Sequence, residues 1–174
     1  MATFTEIKKK FFSLSPKEQE LLLKEIYGLS KESKRFLDVR LSGANEENFI
    51  EEITKATQYA TPKGYPKDIE VRKVNSILSN AKKCKVDSQI LEKMELIAFE
   101  GYMGSLNEYG GGPDTYENKV YDHLNNYLNL VMSNHLVEEQ GTLFDDMRLY
   151  LRQNTNMYYD HIWELFKELT EMDI

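Results

Sequence analysis

Cysteine is almost missing from this chain. Cys84 is the only one among 174 residues, which excludes an intrachain disulfide and zinc sites built on several thiolates. No apolar run approaches the roughly 20 residues a helix needs to cross a bilayer. The opening residues, Met1 to Glu6, lack the basic-then-apolar order of a secretory signal, so a cytoplasmic protein without membrane attachment is expected. No segment alternates apolar and polar residues between hairpin turns, which removes strands from the expected fold. Catalytic signatures are missing too. There is no Gly-x-Ser-x-Gly elbow, no His-Glu-x-x-His and no Glu-x-x-His pair. Gly110-Gly111-Gly112-Pro113 lacks the Lys-Ser/Thr ending of a phosphate-binding loop and reads as a turn between helices. No motif calls for a cofactor.

What is present is globular. Hydrophobic residues make up 41% and charged residues 29%, enough apolar side chain to offset the entropy of ordering. The length suits one helical domain over residues 1–174. The net charge of −7 opposes nucleic-acid binding, which draws its affinity from clustered lysine and arginine. The distribution is uneven: residues 1–86 hold 17 Lys+Arg against 12 Asp+Glu, and residues 87–174 hold 5 against 17. Such asymmetry either marks an interaction surface or is solvated charge.

Helix signals recur along the whole chain. Thr3 and Glu6, then Ser15 and Glu18, have capping-box spacing, with Pro16 suited to a first helical position. Apolar stripes follow: Phe4, Ile7, Phe11 and Leu14, then Leu22, Ile26 and Leu29. A third helix from Ser30 is expected to bury Phe36, Leu37 and Leu41 and to stop at Gly43. A fourth opens at Asn45-Glu46-Glu47 with Phe49, Ile50, Ile53 and Ala56 inward. Residues 61–67, with Pro62, Gly64 and Pro66, break the chain. Asp68 is expected to cap a fifth helix, Asp87 a sixth and Asp114 a seventh. The eighth is placed at about 143–153 and the ninth at about 157–172. On the sixth, Ala98, Gly101 and Ser105 share a face on which another helix can approach closely. Tyr121-Asp122-His123-Leu124 recurs as Tyr159-Asp160-His161-Ile162. The class is all-α, with eight or nine helices in an irregular antiparallel bundle or stacked hairpins.

Residues 14–21, Ile26 to Lys31, Phe36-Leu37, residues 63–67 and Asn107 to Gly110 are similar to segments of a bacterial family of helical proteins known as a domain of unknown function. The resemblance implies one helical domain of bacterial or phage origin and brings no activity with it. Family members carry a glycine-tryptophan-glycine-phenylalanine stretch before a C-terminal histidine-aspartate pair; here residues 156–161 read Asn-Met-Tyr-Tyr-Asp-His.

Candidate site residues fall into two groups. Tyrosine and tryptophan, which suit protein interfaces, crowd the second half at Tyr102, Tyr109, Tyr116, Tyr121, Tyr127, Tyr150, Tyr158, Tyr159 and Trp163. Tyr65 in the mid-chain break, Tyr109 with Glu108 beside the glycine loop, and the acidic pair Asp145-Asp146 make the expected binding surface for a protein partner or a second copy. The alternative is a metal-dependent enzyme using His123 and His161 with Glu100, Glu108, Asp145 or Asp146. Against it, adjacent Asp and His point about 100° apart on a helix. A third function, nucleic-acid binding through Lys8-Lys9-Lys10 and the following lysines, is opposed by the overall charge.

Overall fold

A computed structural model describes residues 1–43, 46–154 and 160–172. Nine helices are found among them: α1 Phe4–Ser13, α2 Pro16–Leu29, α3 Lys31–Ser42, α4 Glu47–Ala56, α5 Val71–Cys84, α6 Ser88–Glu108, α7 Asp114–Asn134, α8 Val137–Asn154 and α9 Asp160–Thr170. The fold is all-α, 79% helical and without a strand among the described residues; Ala60 and Pro66 make one isolated antiparallel bridge. The chain falls into two compact units, Met1–Asn45 and Glu46–Ile174, where the sequence reads as a single domain.

In the first unit the cap chemistry forms as the sequence predicts. Thr3 and Ser15 each accept from the backbone N–H three residues on, while Glu6 and Glu18 reach back to the cap. Ser30 Oγ accepts from Ser33 N at 3.0 Å, and Gly43 closes α3 at φ 63°. Burial departs from expectation. Neither α1 nor α2 contains a buried residue, and α3 buries only Val39. Phe36 and Leu41, expected inside, are 43% and 71% exposed. Three helices of 10, 14 and 12 residues line up apolar stripes but are too few and too short to enclose them.

The second unit is built on α6 and α7, each 21 residues long. They run antiparallel: Glu92 meets Asn134 and His135, Glu95 meets His123, and Tyr102 meets Tyr116. Helices α4, α5 and α8 contact α6, and α9 contacts α7. Met94, Ala98, Phe99, Tyr102 and Met103 of α6 are fully buried, as are Val120, Leu124, Leu128 and Val131 of α7. The small-residue face of α6 is used as expected, by the end of α4. A Cβ on Gly101 would lie 2.6 Å from Thr57 Cβ and 3.0 Å from Thr57 O, and one on Gly104 2.7 Å from the Tyr59 ring.

Several helix starts differ from the sequence expectation. Asp87 caps α6 through Gln89 N at 2.8 Å, but α5 begins after Glu70 and α7 after Pro113, both without a side-chain cap. Asp68 and Asp114 therefore do not cap. The segment before α5 is held instead by Tyr116, whose hydroxyl accepts from Ile69 N at 2.8 Å. Helix α8 starts at Val137, six residues earlier than expected, running through Gly141; Gln140 ties its first turn to His135 O and Met132 O. Asn45, in the expected start of α4, and Tyr158 and Tyr159, in that of α9, lie outside the described residues. Cys84 is the buried last residue of α5. There the helix ends in a Schellman turn, with Lys85 N donating to Lys82 O and Val86 N to Ala81 O, although Lys85 takes φ 50° without being glycine.

Two substitutions test this packing. Gly101→Ala gains helix propensity of up to about 1 kcal/mol but forces a methyl onto Thr57, so a net loss of roughly 1–2 kcal/mol is expected in thermal unfolding. Lys85→Gly, at an exposed left-handed position, is expected to raise stability by about 0.5–1 kcal/mol. An unchanged melting temperature in either variant contradicts the corresponding contact.

Candidate functional site

Glu95 lies one turn from Leu91 and Phe99 on the inward stripe of α6, so the helix carries its carboxylate into the core, where it is 0% exposed. A buried carboxylate needs partners on all sides. His123, 3% exposed on α7, donates from Nδ1 to Glu95 Oε2 at 2.7 Å. Lys82 of α5 brings Nζ to 3.1 Å from Oε1, an ion pair set off the hydrogen-bonding direction, since Oε1 has no hydrogen-bond partner. Burial pushes the Glu95 carboxyl up, but the hydrogen bond and charge of His123, with the charge of Lys82, outweigh it and hold the group below the usual carboxylate range.

The imidazole is clamped from its flat side as well. Tyr102 stacks on it with ring centroids 5.6 Å apart and planes within 7°, and Tyr116 meets Tyr102 edge-on at 5.2 Å. His123 Nε2 and Tyr102 Oη are buried without a hydrogen-bond partner. Burial drives the Tyr102 phenol far above its ordinary value, with a contribution from Tyr116.

His123 and Glu95 line a cleft of about 570 Å³ between α5 and α7, together with Asn75, Ser79, Lys82, Lys83, Lys119, Asp122 and Asn126. Lys119 pairs with Asp122 at 2.8 Å. The lining is polar and carries one more lysine than carboxylate.

A second buried carboxylate, Glu92, takes hydrogen bonds from Asn134 Nδ2 at 2.8 Å and His135 Nε2 at 3.0 Å, which ties the start of α6 to the end of α7. Burial, with the charges of Glu92, Glu100 and Asp146, pushes the Tyr127 phenol up to about 12. These groups are structural fastenings.

The sequence-predicted residues are scattered. Tyr65 is 67% exposed in the turn where Thr61 Oγ1 accepts from its N–H. Tyr109 sits at the end of α6 after exposed Glu108, packs edge-on against Tyr59 and donates to Tyr59 O at 3.1 Å. Tyr65 and Tyr109 therefore both belong to the surroundings of the 59–67 segment. Asp145 and Asp146 are exposed on α8, Asp145 held by Arg148 at 2.6 Å. His161 stacks on Tyr121 at 6.2 Å, which joins two members of the weak repeat across α7 and α9. His123 has a different neighbourhood, with Glu95 as its carboxylate in place of Glu100, Glu108, Asp145 or Asp146. Among the described residues no group of three or more His, Cys, Asp or Glu is arranged to hold a metal ion, and no helix is long and apolar enough to cross a membrane.

Glu95 and Lys82 were missed from sequence because a glutamate four residues after Leu91 looks like a solvated face. The legible signal was its place on a stripe otherwise made of Leu91, Phe99 and Tyr102. No protein-family model matches the chain, and no curated protein or solved structure matches it either.

Glu95→Ala is expected to cost roughly 3–5 kcal/mol, because it strands the buried His123. A carboxyl whose folded-state pKa is depressed contributes its stability above the unfolded value and loses it as pH falls through the folded value. The wild type is therefore expected to lose this increment below the ordinary carboxylate value of 4.5, and the wild-type and Glu95→Ala denaturation midpoints to converge there. Midpoints that stay equally far apart at low pH contradict the assignment.

Proposed function

We propose that this chain is a self-associating protein-interaction module that contacts a second copy through α1, α2 and α3. The carrying observation is the apolar surface of the first unit. Phe4, Ile7, Phe12, Leu21, Leu29 and Leu41 are each more than half exposed within 45 residues. A helical unit of this size needs a disulfide, a metal or association to supplement its small core. Cys84 is the only cysteine and lies in the other unit, and unpartnered apolar surface of this kind marks an interaction site.

The surface has the form of two grooves. One, of about 630 Å³, runs between α1 and α2, with Phe4, Ile7, Phe11 and Leu22 along it and Lys8 and Lys10 on its border. The other, of about 520 Å³, lies between α2 and α3, with Leu23, Tyr27, Leu37 and Leu41, and its charges are Glu20, Asp38 and Lys24. One border is positive and the other carries net negative charge. Two-fold symmetry lets the first groove of each copy meet the second groove of the other, so that both charge pairs form twice. The 3-4-3 spacing of Phe4, Ile7, Phe11 and Leu14 suits helix-on-helix packing of this sort. Tyr65 with Tyr109, and separately Asp145 with Asp146, remain exposed for contact with another protein.

Sedimentation across a concentration series tests the proposal. Micromolar dimerisation, about −8 kcal/mol, is expected for the wild type, with dissociation on dilution. Phe12→Glu with Leu29→Glu is expected to give a monomer of unchanged helical content. A wild type that stays monomeric up to about 100 μM, or a double variant that associates equally well, overturns it.

A further inference from the structure

We infer that the cleft between α5 and α7 is a binding site for a small phosphorylated molecule. This is independent of self-association through α1–α3. Three lysines, Lys82, Lys83 and Lys119, face it with two carboxylates. Both carboxylates are already engaged: Glu95 by His123 and Lys82, and Asp122 by Lys119 at 2.8 Å. Lys83 has no ion pair among the described residues, and the cleft is left with an excess of positive charge. That balance suits an anion and opposes a cation.

The second observation lies at the cleft's floor. His123 is 97% buried by its 3% exposure, and its Nε2 has no hydrogen-bond partner. Nδ1 donates to the Glu95 carboxylate, and the charge of the ring helps to hold that carboxyl low, so Nε2 is a second N–H donor. An orphaned buried donor is costly, and a phosphate oxygen that displaces the side chains sealing it satisfies it. A phosphate group supplies both requirements: negative charge for the lysines and an acceptor oxygen for Nε2. Asn75 and Asn126, on the two walls, add neutral donors. The volume of about 570 Å³ falls within the range of small-molecule sites. Tyr102, stacked on the ring, and Glu95, bonded to Nδ1, hold the imidazole in place and act as positioning residues.

Inorganic phosphate is the probe. Histidine ring nitrogens are followed by long-range proton–nitrogen NMR as phosphate is added to the full chain at constant pH and ionic strength. A saturable shift of His123 Nε2 is expected, with His135 and His161 unmoved. Lys83→Gln combined with Lys119→Gln is expected to weaken the apparent affinity by about tenfold or more, as loss of charge-assisted contacts requires. Lys83→Glu alone, at an exposed position, repeats the test should the double variant fold poorly, and is expected to weaken binding in the same direction. A His123 signal that does not move, or moves identically in wild type and variants, overturns the inference.

Discussion

The Glu95 carboxylate is the constraint around which the second unit is arranged. It arrives in the core from α6, and its charge is tolerable there only because α5 brings Lys82 and α7 brings His123 to it. Three helices are thereby fixed in register by one buried charge. A purely apolar interface between α6 and α7 would leave sliding by a turn cheap, whereas a displaced Glu95 would face hydrocarbon without compensation. Glu92 repeats the device near the start of α6, with Asn134 and His135 as its partners. Between them the two glutamates specify which residues of α7 lie beside α6.

The polar cleft is a consequence of the same arrangement. Lys82 and His123 converge on Glu95, and side chains of α5 and α7 around them line the cleft. Tyr102 stacks on His123 and meets Tyr116 edge-on, with the Tyr116 hydroxyl also holding the backbone at Ile69. The first unit follows another logic. Its helices are started by caps local to each, only Val39 is fully buried among them, and much of their apolar surface is left exposed.

Local chemistry was the legible part. The boxes at Thr3-Glu6 and Ser15-Glu18, the stop at Gly43 and the cap at Asp87 depend on residues within a few positions of each other, which is why their spacing can be read directly. Asp68 and Asp114 show the limit. Both have the right chemistry for caps, yet Tyr116, 47 positions from Ile69, helps decide where the chain enters α5. Gly141 hid the first turns of α8, where Gln140 supplies the stabilising contacts from its side chain.

By itself, then, the sequence determined the helical class, most helix positions and the close approach at Gly101, because each follows from periodicity, capping or side-chain size. The tertiary structure alone decided which polar residues are buried together. His123 looked equivalent to His161, and Glu95 equivalent to any surface glutamate. Their pairing joins residues 28 apart, and nothing local to either encodes it. It likewise decided that Phe36 and Leu41 stay exposed. An apolar stripe states what a helix needs to cover, whereas coverage depends on whether enough chain lies opposite to supply it.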